Sequence, residues 1–259
     1  MALLDGTPVS ADMLQALGLA NYGHFTTLRV DGGRVRGLPL HLERLGRDCL
    51  VTFGADLDQE RARAYIRQAV EGDDGTIVVR VTVFDPDLEV SRPGAAARPR
   101  ILVTTRPAPI LPLPPLRVRT TRHQRALPRV KNVGLFGVLH SRRAAQLDGF
   151  DDALFLDDAS FVSEGTTWNA GFFDGEHVVW PRAEVLDGVT MRLLQRAHDA
   201  TVVRPVHSGD LPGMRAAFAT NAAIGVRPIS LIDDLVLPGE HPILDTLREK
   251  YDEIPPERL

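Results

Sequence analysis

The chain has 259 residues, 44% of them hydrophobic and 25% charged, with a formal net charge of −4. These values fit an ordinary globular protein of one or two domains, and the charge balance gives no global basic field for nucleic acid or an anionic membrane. A single cysteine, Cys49, rules out an intramolecular disulfide and a cysteine-built metal cage.

In chain order, residues 1–20 lack a basic segment followed by an apolar one, so no signal sequence is expected there. No stretch reaches the roughly 18 apolar residues of a membrane span, and a cytoplasmic protein is expected. Phe25 to Val30 reads as a strand, Asp31-Gly32-Gly33 as a hairpin turn and Arg34 to Leu38 as the return strand. Leu42, Leu45, Cys49 and Leu50 give helical spacing over Leu40 to Phe53, and a second helix spans Asp58 to Val70. Thr76 to Phe84 is a β-branched strand and Arg100 to Thr105 another; Asp85 to Pro99, rich in Pro, Gly and Ala, reads as a mobile loop. Five prolines between Pro107 and Pro115 favour an extended connector.

Beyond it, Gly134 to Leu147 reads as a helix, and Asp152 to Leu156 and Phe161 to Ser163 as short strands. Phe172 to Trp180 follows as a hairpin turning at Asp174-Gly175. Thr190 to Ala200 is a helix opened by Asp187-Gly188-Val189; Ala217 to Thr220 and Val226 to Leu231 are strands, and His241 to Tyr251 is an amphipathic helix. The expectation is two α/β domains, residues 1–106 and 117–259, joined by a linker at 107–116.

One compositional fact points to chemistry. Of the 30 basic side chains only Lys131 and Lys250 are lysine; 28 are arginine. Arginine replaces lysine well as a surface charge but does not lose a proton to become an amine nucleophile. Lys250 lies in a polar helical pattern and reads as a surface charge, whereas Lys131 stands before the mostly apolar run Val133 to Leu139. An amine in apolar surroundings is suited to imine formation. The P-loop, dinucleotide-fingerprint, zincin and nucleophile-elbow motifs are all missing, and no two histidines stand at i, i+4, so no metal is expected.

Three further features have both a chemical and a plain reading. Ser163 to Asn169 is a polar turn after a strand with one acid, Glu164; it is a turn acid or a partner for a pyridine nitrogen. Gly188-Val189-Thr190 begins a helix whose free N–H groups suit a phosphate, though Thr190 also reads as a capping residue. Thr220-Asn221-Ala222-Ala223 is a small loop able to offer donors to an anion, or an ordinary polar loop.

Order and spacing bring these pieces together. His41-Leu42-Glu43-Arg44-Leu45, Lys131 before a helix, Ala145 to Ala153, Glu164 to Asn169, Leu186 to Thr190, and Thr220 to Pro228 with Ile232-Asp233 follow one another. This series resembles the class IV aminotransferases, the fold-type IV pyridoxal-phosphate enzymes that include branched-chain and D-amino-acid aminotransferases and aminodeoxychorismate lyase. The resemblance runs from about Tyr22 to Asp233.

It implies a two-domain α/β (α+β) fold with a small N-terminal and a larger C-terminal domain, the latter binding pyridoxal 5'-phosphate, and a homodimer. It implies Lys131 as the Schiff-base lysine that also moves the proton, Glu164 at the pyridine nitrogen, and Arg44 at the phosphate. Val189, Thr190, Thr220, Asn221 and Ala222 join Arg44 there. Arg80 matches a position that holds the substrate carboxylate in some members; a structural ion pair is its alternative. The implied reaction moves an amino group from an amino acid or amine to a 2-oxo acid. A lyase of the aminodeoxychorismate type and a non-catalytic dimeric scaffold are the rivals. Thr26 stands where the family carries a glutamate, which leaves the substrate open.

Overall fold

The computed structural model describes residues 1–73 and 75–259, and packing divides them into two compact units. The first comprises Met1–Ala108, Val130–Gly134 and Pro255–Leu259, the second Pro109–Arg129 and Leu135–Ile254. The segment that carries Lys131 therefore packs with the first unit, although a division at the prolines puts it in the second half of the chain.

The first unit contains β1 (Ala2–Leu4), β2 (Thr7–Pro8), α1 (Gln15–Ala20), β3 (His24–Asp31), β4 (Arg34–Val35), α2 (Leu38–Phe53), α3 (Gln59–Val70), β5 (Thr76–Phe84) and β6 (Arg100–Pro107). Its antiparallel sheet has the order Glu257–Arg258, β4, β3, β5, β6, β1, β2. Alternation along β3 and β5 sends Leu28, Val30, Val79, Val81 and Val83 to one face. There they bury against Leu42, Leu45 and Cys49 of α2 and Ala62 and Ile66 of α3. Phe25, Arg80 and Thr82 have the opposite parity and share the other face.

The expected return strand stops at Val35, not Leu38. Gly37 is left-handed at φ 69° and Pro39 sits in the first helical turn, so Leu38 opens α2. The loop over 85–99 is pinned at its base, where the buried Asp85 carboxylate accepts the N–H groups of Asp87 at 3.0 Å and Arg98 at 2.9 Å.

The second unit contains β7 (Leu116–Arg122), α4 (Phe136–Leu147), β8 (Asp152–Leu156), β9 (Val162–Gly165), β10 (Asn169–Phe173), β11 (Val178–Pro181), α5 (Val189–Ala197), β12 (Thr201–Arg204), β13 (Ala216–Asn221), β14 (Gly225–Ile232), β15 (Leu235–Val236) and α6 (Pro242–Glu253). The mixed sheet runs β12-β11-β10-β13-β14-β7-β8-β9, with β15 on β14. One core gathers Leu116, Val118, Leu154, Trp168, Phe172 and Ile229; another packs Trp180 and Phe218 under Leu194 of α5 and Leu244 and Leu247 of α6.

Candidate active site

Two groups of side chains match the chemistry expected from the sequence, one on each unit. In the first unit Lys131 lies between two main-chain partners. Its N–H donates to Asp48 Oδ2 at 3.0 Å, and its C=O accepts the N–H of Phe25 at 2.8 Å. The Lys131 ammonium or amine nitrogen, Nζ, stands 4.8 Å from the centroid of the Phe25 ring. The Arg80 guanidinium lies over the same ring at 3.6 Å, with its Nε donating to Thr82 Oγ1 at 3.2 Å. Burial pulls the Arg80 pKa down from its ordinary value, but guanidinium titrates so high that the group stays a cation.

Arg44 is buried on α2 and donates from Nη2 to Thr26 Oγ1 at 2.5 Å; the same hydroxyl is 2.8 Å from His41 Nδ1. The Thr26 hydroxyl accepts from arginine and keeps both a hydrogen and a second lone pair, so the direction of its bond with His41 Nδ1 follows the imidazole tautomer. Burial, then the nearby charges of Arg44 and Lys131, hold the His41 pKa well below its ordinary value. Thr26 thus turns His41 and Arg44 toward one hydroxyl.

In the second unit Glu164 is the last residue but one of β9 and is 4% exposed. Its Oε1 accepts both Nε and Nη2 of Arg125, at 2.9 and 2.5 Å. A cavity of about 290 Å³ opens beside this pair, lined also by His123, Phe155, Phe161 and Ser163. Burial, then the Arg125 charge, lower the His123 pKa from its ordinary value. The turn after Glu164 is braced from beneath: buried Asp152 accepts Arg142 Nε at 3.1 Å and Nη2 at 2.9 Å, the Thr166 hydroxyl at 2.6 Å and the Trp168 indole N–H at 2.9 Å.

The features expected from the sequence to suit an anion lie on the same unit. α5 starts at Val189 with Gly188 as N-cap and no side-chain cap, which leaves the first N–H groups for another acceptor. Asn169 lies opposite Thr220 across β10 and β13, and its Nδ2 donates to the Leu186 carbonyl at 2.8 Å. A side chain at Gly188 would collide with Asn169 Oδ1, so Asn169 holds the helix start close to Thr220. The hydroxyls of Thr190 and Thr220 are buried without a hydrogen-bond partner among the described residues. Two buried hydroxyls beside an uncapped helix start fit a bound phosphate, which would accept from both. Asn221 is committed elsewhere: Oδ1 accepts from Ala223 and Ile224, and Nδ2 donates to the Thr167 carbonyl. Asn221 and Ala222 therefore offer an anion main-chain groups.

Of the residues singled out from the sequence, Lys131, Arg44 and Arg80 fall on the first unit, and Glu164, Val189, Thr190, Thr220, Asn221 and Ala222 on the second. Sequence reasoning did not single out Asp48 or Thr26 as partners. The only linear trace of Asp48 is an acid one helical turn after Arg44, on the stripe that also carries His41.

Comparison with known proteins gives a consistent family. The model of the class IV amino-transferases matches residues 23–232. A probable branched-chain-amino-acid aminotransferase of Rickettsia bellii is 31% identical over 122 residues, 44% of this chain and 42% of that protein. The match thus spans about two fifths of that relative's length. Among solved structures, a branched-chain aminotransferase from Thermoproteus uzoniensis with norvaline superposes with TM-score 0.87 at 21% identity, covering 97% of this chain and 93% of that one. A putative 4-amino-4-deoxychorismate lyase from Legionella pneumophila superposes with TM-score 0.80 at 23% identity, covering 96% of each chain. The fold is shared by transaminase and lyase alike, so likeness of fold does not choose between them.

Proposed function

Because the chain belongs to the class IV aminotransferase family, we propose that it is a pyridoxal 5'-phosphate-dependent transaminase moving an amino group between an amino acid or amine and a 2-oxo acid. The observation that carries this reading is the shared ring of Phe25, with Lys131 Nζ at 4.8 Å and the Arg80 guanidinium at 3.6 Å. A reactive amine and a carboxylate-binding cation on one aromatic platform match a substrate that has a carboxylate next to its reacting carbon.

The residues divide the work. Lys131 anchors the cofactor and, once released by the incoming amine, takes and returns the proton of the substrate Cα at Nζ. Glu164 holds the pyridine nitrogen protonated. Thr190, Thr220, the N–H groups at the start of α5, the main chain at Asn221 and Ala222, and the Arg44 cation bind the phosphate. Arg80 orients the substrate carboxylate, and Thr82 orients Arg80. When bound, the cofactor supplies an electron sink for the pair left on Cα. A homodimer in the cytoplasm completes the reading; among the described residues no helix is long and apolar enough to cross a membrane.

The test is an absorbance spectrum of the protein incubated with pyridoxal phosphate and desalted, for wild type and Lys131→Ala. A visible band in wild type, discharged by borohydride and missing from the variant, supports the reading and leads to a screen of amino donors with 2-oxo acids. Release of pyruvate from an aminodeoxychorismate-like substrate without amino transfer would replace it by the lyase. Failure of wild type to hold the cofactor would leave a non-catalytic scaffold.

A further inference from the structure

Asp48 is fully buried on α2, four residues after Arg44, and its carboxylate reaches across 83 positions of sequence to the main chain of Lys131. Oδ2 accepts the Lys131 N–H at 3.0 Å, while Oδ1 accepts Nε and Nη2 of Arg47 at 3.0 and 2.8 Å. With the Lys131 carbonyl taken by the Phe25 N–H, both polar groups of this residue are tied to fixed elements, one to α2 and one to β3. Residue 131 itself lies in neither helix nor strand, so these bonds replace the ladder that would otherwise fix its position. An ionised carboxylate is costly to bury, and a neutral acceptor would have satisfied one N–H. The charge makes the bond stronger than packing alone requires.

We propose that Asp48 is a positioning residue for the Lys131 amine. It fastens the origin of the lysine side chain to the helix that carries Arg44, so the anchoring amine and a phosphate-binding cation are placed by one rigid element. This rests on Lys131 being the cofactor-anchoring lysine. A long side chain with four rotatable bonds reaches a fixed aldehyde less often once its Cα is free to shift, and bond formation suffers more than simple binding.

Two ligands separate the effects. Pyridoxal phosphate joins Lys131 covalently, whereas pyridoxamine phosphate already carries its amine and does not. In Asp48→Ala the affinity for pyridoxal phosphate relative to pyridoxamine phosphate falls about tenfold, the worth of one charge-assisted hydrogen bond. Asp48→Asn, which keeps a carbonyl acceptor for the Lys131 N–H but loses the charge, restores part of the ratio. Asp48→Ser, too short to reach, is read in the same way as alanine where the alanine variant does not fold. Equal weakening of both ligands, or no change in the ratio, overturns the proposal while leaving the cofactor reading intact. Wild type that takes up neither ligand overturns both.

Discussion

Arg125 and Glu164 meet through a single oxygen: Nε and Nη2 of the guanidinium both donate to Oε1, with the carboxylate buried and the arginine partly so. Such a pair is asymmetric in its energetics. Removing the arginine leaves a carboxylate in a poorly hydrated site, which costs about 3–5 kcal/mol, whereas removing both partners is far milder. Arg125→Leu is expected to lower the urea midpoint strongly, and adding Glu164→Leu to recover part of the loss, followed by tryptophan fluorescence. Glu164→Gln, which keeps the shape and loses the charge, should retain bound cofactor but cut turnover by about a hundredfold, as loss of an electrostatic partner typically does.

Acid stability should carry the mark of His24. Its ring is fully buried, neither nitrogen has a hydrogen-bond partner among the described residues, and burial followed by the Arg44 charge lowers its pKa to about 3. The unfolded chain takes a proton there near pH 6.5, and the folded protein refuses it until about 3. The stability from neutral His24 is therefore complete above about pH 6.5 and is lost as pH falls through that window, at a limiting slope near 1.4 kcal/mol per pH unit. Urea midpoints from pH 7 down to about 4 should fall less steeply for His24→Leu than for wild type. His41, shifted in the same direction, keeps a residual slope in the variant. Parallel curves for the two proteins would count against His24.

Thr190 and Thr220 should separate binding from folding. Their hydroxyls gain no partner from the described residues, so Thr→Val at either position should leave thermal stability within about 1 kcal/mol. Affinity for pyridoxal phosphate should drop about tenfold for each, a hydrogen bond to a charged acceptor being worth about 1.5–3 kcal/mol. Unphosphorylated pyridoxal provides the contrast: its binding should not move. An equal loss for both compounds would place the hydroxyls away from the phosphate.

Gly165→Ala probes the turn that follows Glu164. A Cβ there would collide with the Trp168 indole, whose N–H donates to Asp152 at 2.9 Å. The ring has to leave its place, and overpacking of this kind costs about 1–3 kcal/mol. Near-ultraviolet circular dichroism of the indole should change, and cofactor affinity should fall with it. An unchanged spectrum would show that the turn absorbs the methyl group by a backbone shift.

These outcomes bear on which features the sequence made legible. Helical spacing over α2 and α3 and β-branched runs in β5 announce themselves locally, because each residue's burial follows from the period of its own element. β7 did not: Leu116 and Val118 alone alternate inward, the other positions are Arg or Thr, and five prolines precede it. Its place between β14 and β8 comes from partners distant in sequence. The site divides along the same line. Lys131, Glu164 and Thr190 stand out through composition and order, whereas the Asp48 to Lys131 and Arg125 to Glu164 contacts join residues 83 and 39 positions apart, and no local period records them.

The distribution of the two units along the chain has a consequence for how the protein is made. The backbone passes from one unit to the other after residues 108, 129, 134 and 254. No single proteolytic cut can therefore release either unit whole, and a fragment ending at the proline segment would lack both the lysine and the strand Glu257–Arg258 that borders β4. During synthesis the first unit has to wait for residues 255–259 before its sheet is complete. Its half-built edge is meanwhile open to wrong pairing. The amine on which the proposed chemistry depends is fastened by a segment inserted into an already waiting sheet. The segment at 130–134 is made before residues 255–259, so the lysine is in place ahead of the strand that completes its sheet.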